Sequence, residues 1–260
     1  MTNIRNRIAH LIRRVAMIEG LSGQDLTGQD WSEMDLSNTD LSGTIFSDAH
    51  LKKTDFKGSN LERAKLSNAD LRGADLRNAK LSFAFFNHAT LIDANLEGAN
   101  LKGANLRDAN LEKANLSRTD FTWAKLEGAV LEGAVLVGAN LYNANLFYAN
   151  LRNANLDKAN LNEAKLEGAV LSEATLKDAD LRKAKLDEAK LDGADLRDAR
   201  LIDASLIDAD LRGADLRGAD LSGADLHSGM FNNLDEAIVD RKTKLPEDIE
   251  EDYLESLIWK

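Results

Sequence analysis

The side chains best equipped for chemistry are scattered. The four histidines, His10, His50, His88 and His227, stand far apart. Metal sites built from histidine draw their ligands from short, fixed spacings, and none occurs here. The chain has no cysteine, which excludes disulfides and thiolate ligands. Asp and Asn are abundant but regular: Asp70 and Asp75, then Asn95 and Asn100, mark the same slot of a five-residue unit. Such ladders differ from the pair of carboxylates in a cleft that general acid–base catalysis requires. The glycines recur at one slot as well, so no phosphate-cradling Gly-rich loop is present. No catalytic residue, metal or cofactor is expected, and the chain is read as a non-enzyme.

The elements that position these residues follow from the period. Stepping by five from Leu21 gives Leu26, Trp31, Leu36, Leu41, Phe46 and so on to Leu226 and Phe231, always an apolar centre. Two residues before each centre, from Ala64 to Ala224, the chain has Ala, with Thr119 the exception. A step of five in an α-helix turns the chain by roughly 500° and spreads the leucines around the axis. In a flat strand an odd period sends successive leucines to opposite faces. A chain that turns a corner every five residues points every centre inward. Four corners close a square coil of about twenty residues, so that residues twenty apart stack at ~4.8 Å. No charge occupies either inward column between residues 21 and 231, as a narrow apolar interior demands.

The units Ala74-Asp75-Leu76-Arg77-Asn78, Ala99-Asn100-Leu101-Lys102-Gly103 and Ala214-Asp215-Leu216-Arg217-Gly218 resemble the A(D/N)LXX pattern of the pentapeptide repeat family. That resemblance implies an all-β solenoid, a right-handed quadrilateral β-helix. Residues 21–233 would form about eleven coils, a rod roughly 50 Å long at the strand spacing.

Both ends read differently. Residues 1–20 form an N-terminal cap in which Ile4, Ile8, Leu11, Ile12 and Val15 share one helical face. In the first coils Gln24, Gln29, Met34 and Thr39 replace Ala, which predicts a differently packed tip. The register dissolves after Phe231, and residues 234–260 are a tail ending in a helix over 247–259. Its apolar residues Ile249, Tyr253, Leu254, Leu257 and Ile258 either cap the last coil or dimerise the chain, as in the quinolone-resistance branch of the family. A monomer and a homodimer through this helix are both open.

A net charge of −11 argues against nucleic-acid binding. No apolar run reaches membrane-spanning length, and no signal-peptide core precedes the repeats. A cytoplasmic protein without membrane contact is expected.

The twenty-residue coil sorts outward residues onto four sides. Phe83, Trp123 and Tyr142 fall on the side with centres 21, 41 and 61, while Phe85, Phe147 and Tyr148 fall on its neighbour, the most acidic side. These six form a candidate protein-binding patch at mid-height; equally, they are aromatics that pack along the ladder. The function expected is a non-catalytic scaffold or regulator acting through another protein. The family resemblance implies an alternative, a DNA mimic that binds gyrase or another topoisomerase and protects it from fluoroquinolones. Lys65, Lys125, Lys165 and Lys185 on the most acidic side run against that alternative. A chain with no specific partner is the third reading.

Overall fold

The structure, a computed structural model, describes residues 20–227, 236–245 and 257–260. The expected N-terminal helix, and Ile249, Tyr253 and Leu254 of the expected C-terminal one, lie outside the described residues.

One unit explains the rest. In Ala139-Asn140-Leu141-Tyr142-Asn143, each of the five N–H groups has an acceptor. The Ala139 N–H donates to Leu136 O at 2.9 Å, closing a turn. Asn140 donates to Thr119 O of the preceding coil at 2.9 Å, and Leu141 and Asn143 donate to Asn160 O and Asn162 O of the following coil at 2.7 and 3.0 Å. The remaining N–H, of Tyr142, donates to the Asn140 side-chain Oδ1 at 3.3 Å. That last bond is the physical reason Asp or Asn stands before most centres: a short side-chain acceptor bonds the N–H two residues on, which the backbone pattern leaves over. Asp25, Asp75 and Asn110 do the same for Thr27, Arg77 and Glu112.

The turn also dictates the residue two places after the centre. Every such residue from Gly23 to Gly223 has a positive φ, whether Gly or not, as the third position of a type II turn requires. No Val, Ile or Thr stands there, because a branched Cβ is excluded from the left-handed region. Val and Ile appear one residue before or after the centre instead, as in Val130, Val170, Ile202 and Ile207.

Each side of the coil contributes one bridging residue, paired in parallel with the residue twenty later, from Asp25↔Ile45 to Ser205↔Asp225. The core is the stack of centres and the Ala column, almost all fully buried. Near the N-terminal end the aromatic centres Trp31, Phe46 and Phe56 meet edge to face at 6.4 and 6.1 Å. Thr44 and Thr54, in the Ala column, are wholly buried. Their hydroxyls donate to Leu21 O and Trp31 O of the coil before, so the larger polar residues are satisfied without changing the backbone.

Beyond Leu226 the stacking resumes with a longer connection. Ile238 pairs with Asp215 and Lys244 with Asp220, with Ala237 and Val239 fully buried. Strand β1, Ile238–Val239, then pairs in parallel with β2, Ile258–Trp259. Here the expected helix through residue 259 is corrected. Ile258 and Trp259 are strand, and Leu257 beside them is a buried bend. The spacing between Ile238 and Ile258 is again twenty. The end of the chain therefore finds the same ladder acceptors, Ala237 O at 2.8 Å and Val239 O at 3.0 Å. Pairing with an open sheet edge satisfies backbone groups that would otherwise need water.

Candidate functional site

The described coils form a four-sided stack. Two depressions on it are open and of mixed charge. One, of about 410 Å³, is lined by Lys57, Arg77, Glu97 and Arg118 among others; the second, about 300 Å³, by Glu163, Arg182, Lys183 and Asp203 among others. Arg118 is ion-paired to Glu97 and Arg182 to Asp180. No group of three metal-ligating side chains assembles among the described residues.

All six aromatics of the sequence-derived patch face outward. Trp123 and Phe83 are each 51% exposed and Tyr148 is 60% exposed; Phe85 and Phe147 are somewhat less so, and Tyr142 is half-buried. They do not merge into one cluster. Of the six, Phe147 and Tyr148 form a ring–ring contact, edge to face at 4.3 Å. Trp123 carries the Lys102 ammonium 4.7 Å from its ring centre, a cation–π contact. The Tyr142 hydroxyl donates to Glu163 at 3.2 Å, and that bond to a carboxylate raises the phenol pKa.

Glycine makes room for two of these rings. A Cβ on Gly103 would lie 2.6 Å from Phe83 Cε1, and one on Gly168 would overlap the Tyr148 ring edge. Each ring therefore lies on the backbone of the following coil, half packed and half exposed. Packing along the ladder and presentation to a partner are thus not exclusive here.

The surroundings of Phe147 and Tyr148 repeat in sequence. The hexapeptides 126–131 and 166–171 are both Leu-Glu-Gly-Ala-Val-Leu. They lie one coil before and one coil after the aromatic pair, placing Glu127 and Glu167 on either side of Phe147. One carboxylate oxygen of each glutamate, Oε2, is shielded from solvent without a hydrogen-bond partner. Glu127 Oε1 accepts from Arg107 at 2.7 Å and from Asn145 Nδ2 at 2.8 Å. Burial pushes its pKa up, but the Arg107 guanidinium and the remaining hydrogen bonds outweigh burial and hold it below the ordinary value. The aromatics stand out in the sequence by residue type; the glutamates do not, since the same hexapeptide also occurs at 131–136, away from the aromatic pair.

The family model described as pentapeptide repeats (8 copies) matches residues 21–58, 54–91, 89–128, 124–162, 159–198 and 194–233. The chain belongs to the pentapeptide repeat family. Its members form right-handed quadrilateral β-helices, which is the four-sided, twenty-residue coil seen here. Among solved structures, the chain is similar to HetL, a pentapeptide repeat protein involved in heterocyst differentiation regulation from the cyanobacterium Nostoc sp. strain PCC 7120. The identity is 34%, covering 84% of this chain and 90% of that one, with a TM-score of 0.45. A pentapeptide repeat protein from the Arabidopsis thaliana thylakoid lumen is 36% identical over 39% of this chain and 67% of that one, with a TM-score of 0.32. QnrB1, a plasmid-mediated fluoroquinolone resistance protein, is 18% identical over 91% of this chain and 89% of that one, with a TM-score of 0.33. No curated protein matches the chain.

Proposed function

We propose that this pentapeptide repeat protein is a non-catalytic scaffold that binds another protein through its mid-height aromatics, Phe83, Phe85, Trp123, Tyr142, Phe147 and Tyr148. The observation that supports this reading is the exposure of large rings on a rigid rod whose remaining surface is mostly charge and amide. Rigid, half-exposed aromatics lose little conformational entropy on binding and bring large contact area, which is why they concentrate at interfaces. The test is affinity capture from the native organism's lysate on the wild-type chain and on the Trp123→Ser, Tyr142→Ser, Phe147→Ser triple variant. A partner held by the wild type should be lost by the variant, with circular dichroism and thermal melting showing both folded. Identical captures by the two would remove the aromatic belt from consideration.

A further inference from the structure

The two identical hexapeptides flanking Phe147 differ in their neighbours: Glu127 also accepts from Asn145, where the equivalent residue beside Glu167 is Lys185, and the residue stacked on the far side of each glutamate carries the inference. On the side away from Phe147, the neighbour of Glu127 is Arg107, whose guanidinium pairs with the carboxylate at 2.7 Å. On the side away from Phe147, the neighbour of Glu167 is Asp187, an acid. Among the described residues Glu167 has no ion-pair partner, and its Oε2 is both shielded and unpartnered. A carboxylate partly withdrawn from water without a counter-charge keeps a strong, poorly screened field. Beside it stand Phe147 and Tyr148, exposed and in edge-to-face contact, and ring faces attract cations. Val130 and Val170 border the same edge. Lys165 and Lys185 stand two residues before Glu167 and Asp187, one residue ahead of their centres, and neither forms an ion pair with Glu167.

We propose that Glu167, Phe147 and Tyr148 form a docking site for a single arginine side chain of a partner protein. The protein itself shows the chemistry at the sister site: the same Glu-Gly-Ala-Val environment, completed by a guanidinium. Arginine fits better than lysine, because its planar fork can bond a carboxylate and stack on a ring together, whereas an ammonium is a compact, strongly hydrated point charge. The nearby lysines disfavour a polybasic stretch and favour one cation set among uncharged residues. This site deepens the aromatic-belt reading, on which it rests, by naming what one part of the belt receives.

The experiment titrates the full chain, its phenylalanines and tyrosines fluorinated for 19F NMR, with the blocked peptide acetyl-Gly-Arg-Gly-amide. The citrulline peptide, neutral and of the same shape, and the lysine peptide serve as comparisons. The Phe147 and Tyr148 resonances should shift with arginine and not with citrulline, with lysine binding weaker. Glu167→Gln should weaken arginine binding roughly three- to tenfold and leave the fold unchanged, while Glu188→Gln, in the coil after, should have little effect. Equal responses to arginine and citrulline, or full binding by Glu167→Gln, would overturn the arginine site. The belt as a whole is judged separately by capture with Trp123→Ser and Tyr142→Ser alone, which leave this site intact. Loss of capture there, together with a silent arginine titration, would uphold the belt and sink the docking site.

Discussion

The positive φ of every fifth residue makes the character of its side chain matter twice, once for the turn and once for the coil next to it. Gly168 illustrates both. Replacing it by Ala forces a Cβ into the Tyr148 ring as well as into left-handed backbone, and should cost about 1–3 kcal/mol. Gly213 has the same backbone, but a Cβ added there would meet nothing within 4 Å, so Gly213→Ala should cost about 1 kcal/mol. Denaturant melts of the two variants measure the difference, and adding Tyr148→Ser to Gly168→Ala should recover part of it. If the two glycines behave alike, the ring does not rest where the geometry puts it. Leu141, fully buried in the centre column, is a simpler case: Leu141→Ala should lose about 2–5 kcal/mol.

A single side of the coil is held by its backbone ladder and, at most centres, by the Asp or Asn that precedes the centre. On several sides the Asp also grips an arginine two residues on. Asp70–Arg72, Asp180–Arg182, Asp195–Arg197 and Asp215–Arg217 pair at 2.5–2.6 Å. The arginine hydrogen bond is the largest influence on each carboxyl and holds it below its ordinary value, against the opposing effect of burial; Asp70 falls to about 2. A carboxyl whose pKa is lower in the folded state stabilises the fold above its unfolded value and loses that contribution as pH falls through the folded value. Melting temperature should therefore hold between about pH 7 and 5 and drop between about pH 4 and 2. Changing Arg182, Arg197 and Arg217 to Gln should flatten the acid limb. An acid limb unaffected by those changes would place the pH dependence elsewhere.

Taken whole, the tower is a one-dimensional stack whose last rung is added from a distance. β2 joins the ladder beside Ala237 and Val239, which are fully buried, while Ile258 and Trp259 on the rung itself are 40% and 57% exposed. In a solenoid each unit is stabilised by its neighbours, so deleting residues 257–260 should lower the melting temperature and expose apolar surface to dye. Light scattering on both chains separates a cap from a dimer contact: an unchanged mass with lower stability means a cap. At the same scale the arginine pairs bear on the DNA-mimic alternative. Mimicry of a duplex needs a continuous negative surface, and here much of the aspartate ladder is neutralised by its own arginines. A gyrase supercoiling assay with a fluoroquinolone should show no protection by this chain.

The five-residue period determined which residues face inward and, for a four-sided coil, which aromatics lie on which side. An apolar residue every five positions fixes which columns face inward, and together with the family resemblance it implies the four-sided coil that the twenty-residue bridges bear out. The tertiary structure decided what depends on contacts twenty or more residues apart. Tyr148 rests on Gly168, Glu127 holds Arg107 while its counterpart Glu167 has no such cation, and Ile258–Trp259 joins the sheet instead of extending a helix. The apolar spacing of residues 249–258 suits a helix locally. The open edge at Ile238–Val239 offers hydrogen bonds that no local pattern announces, and for residues 258–259 that offer prevails.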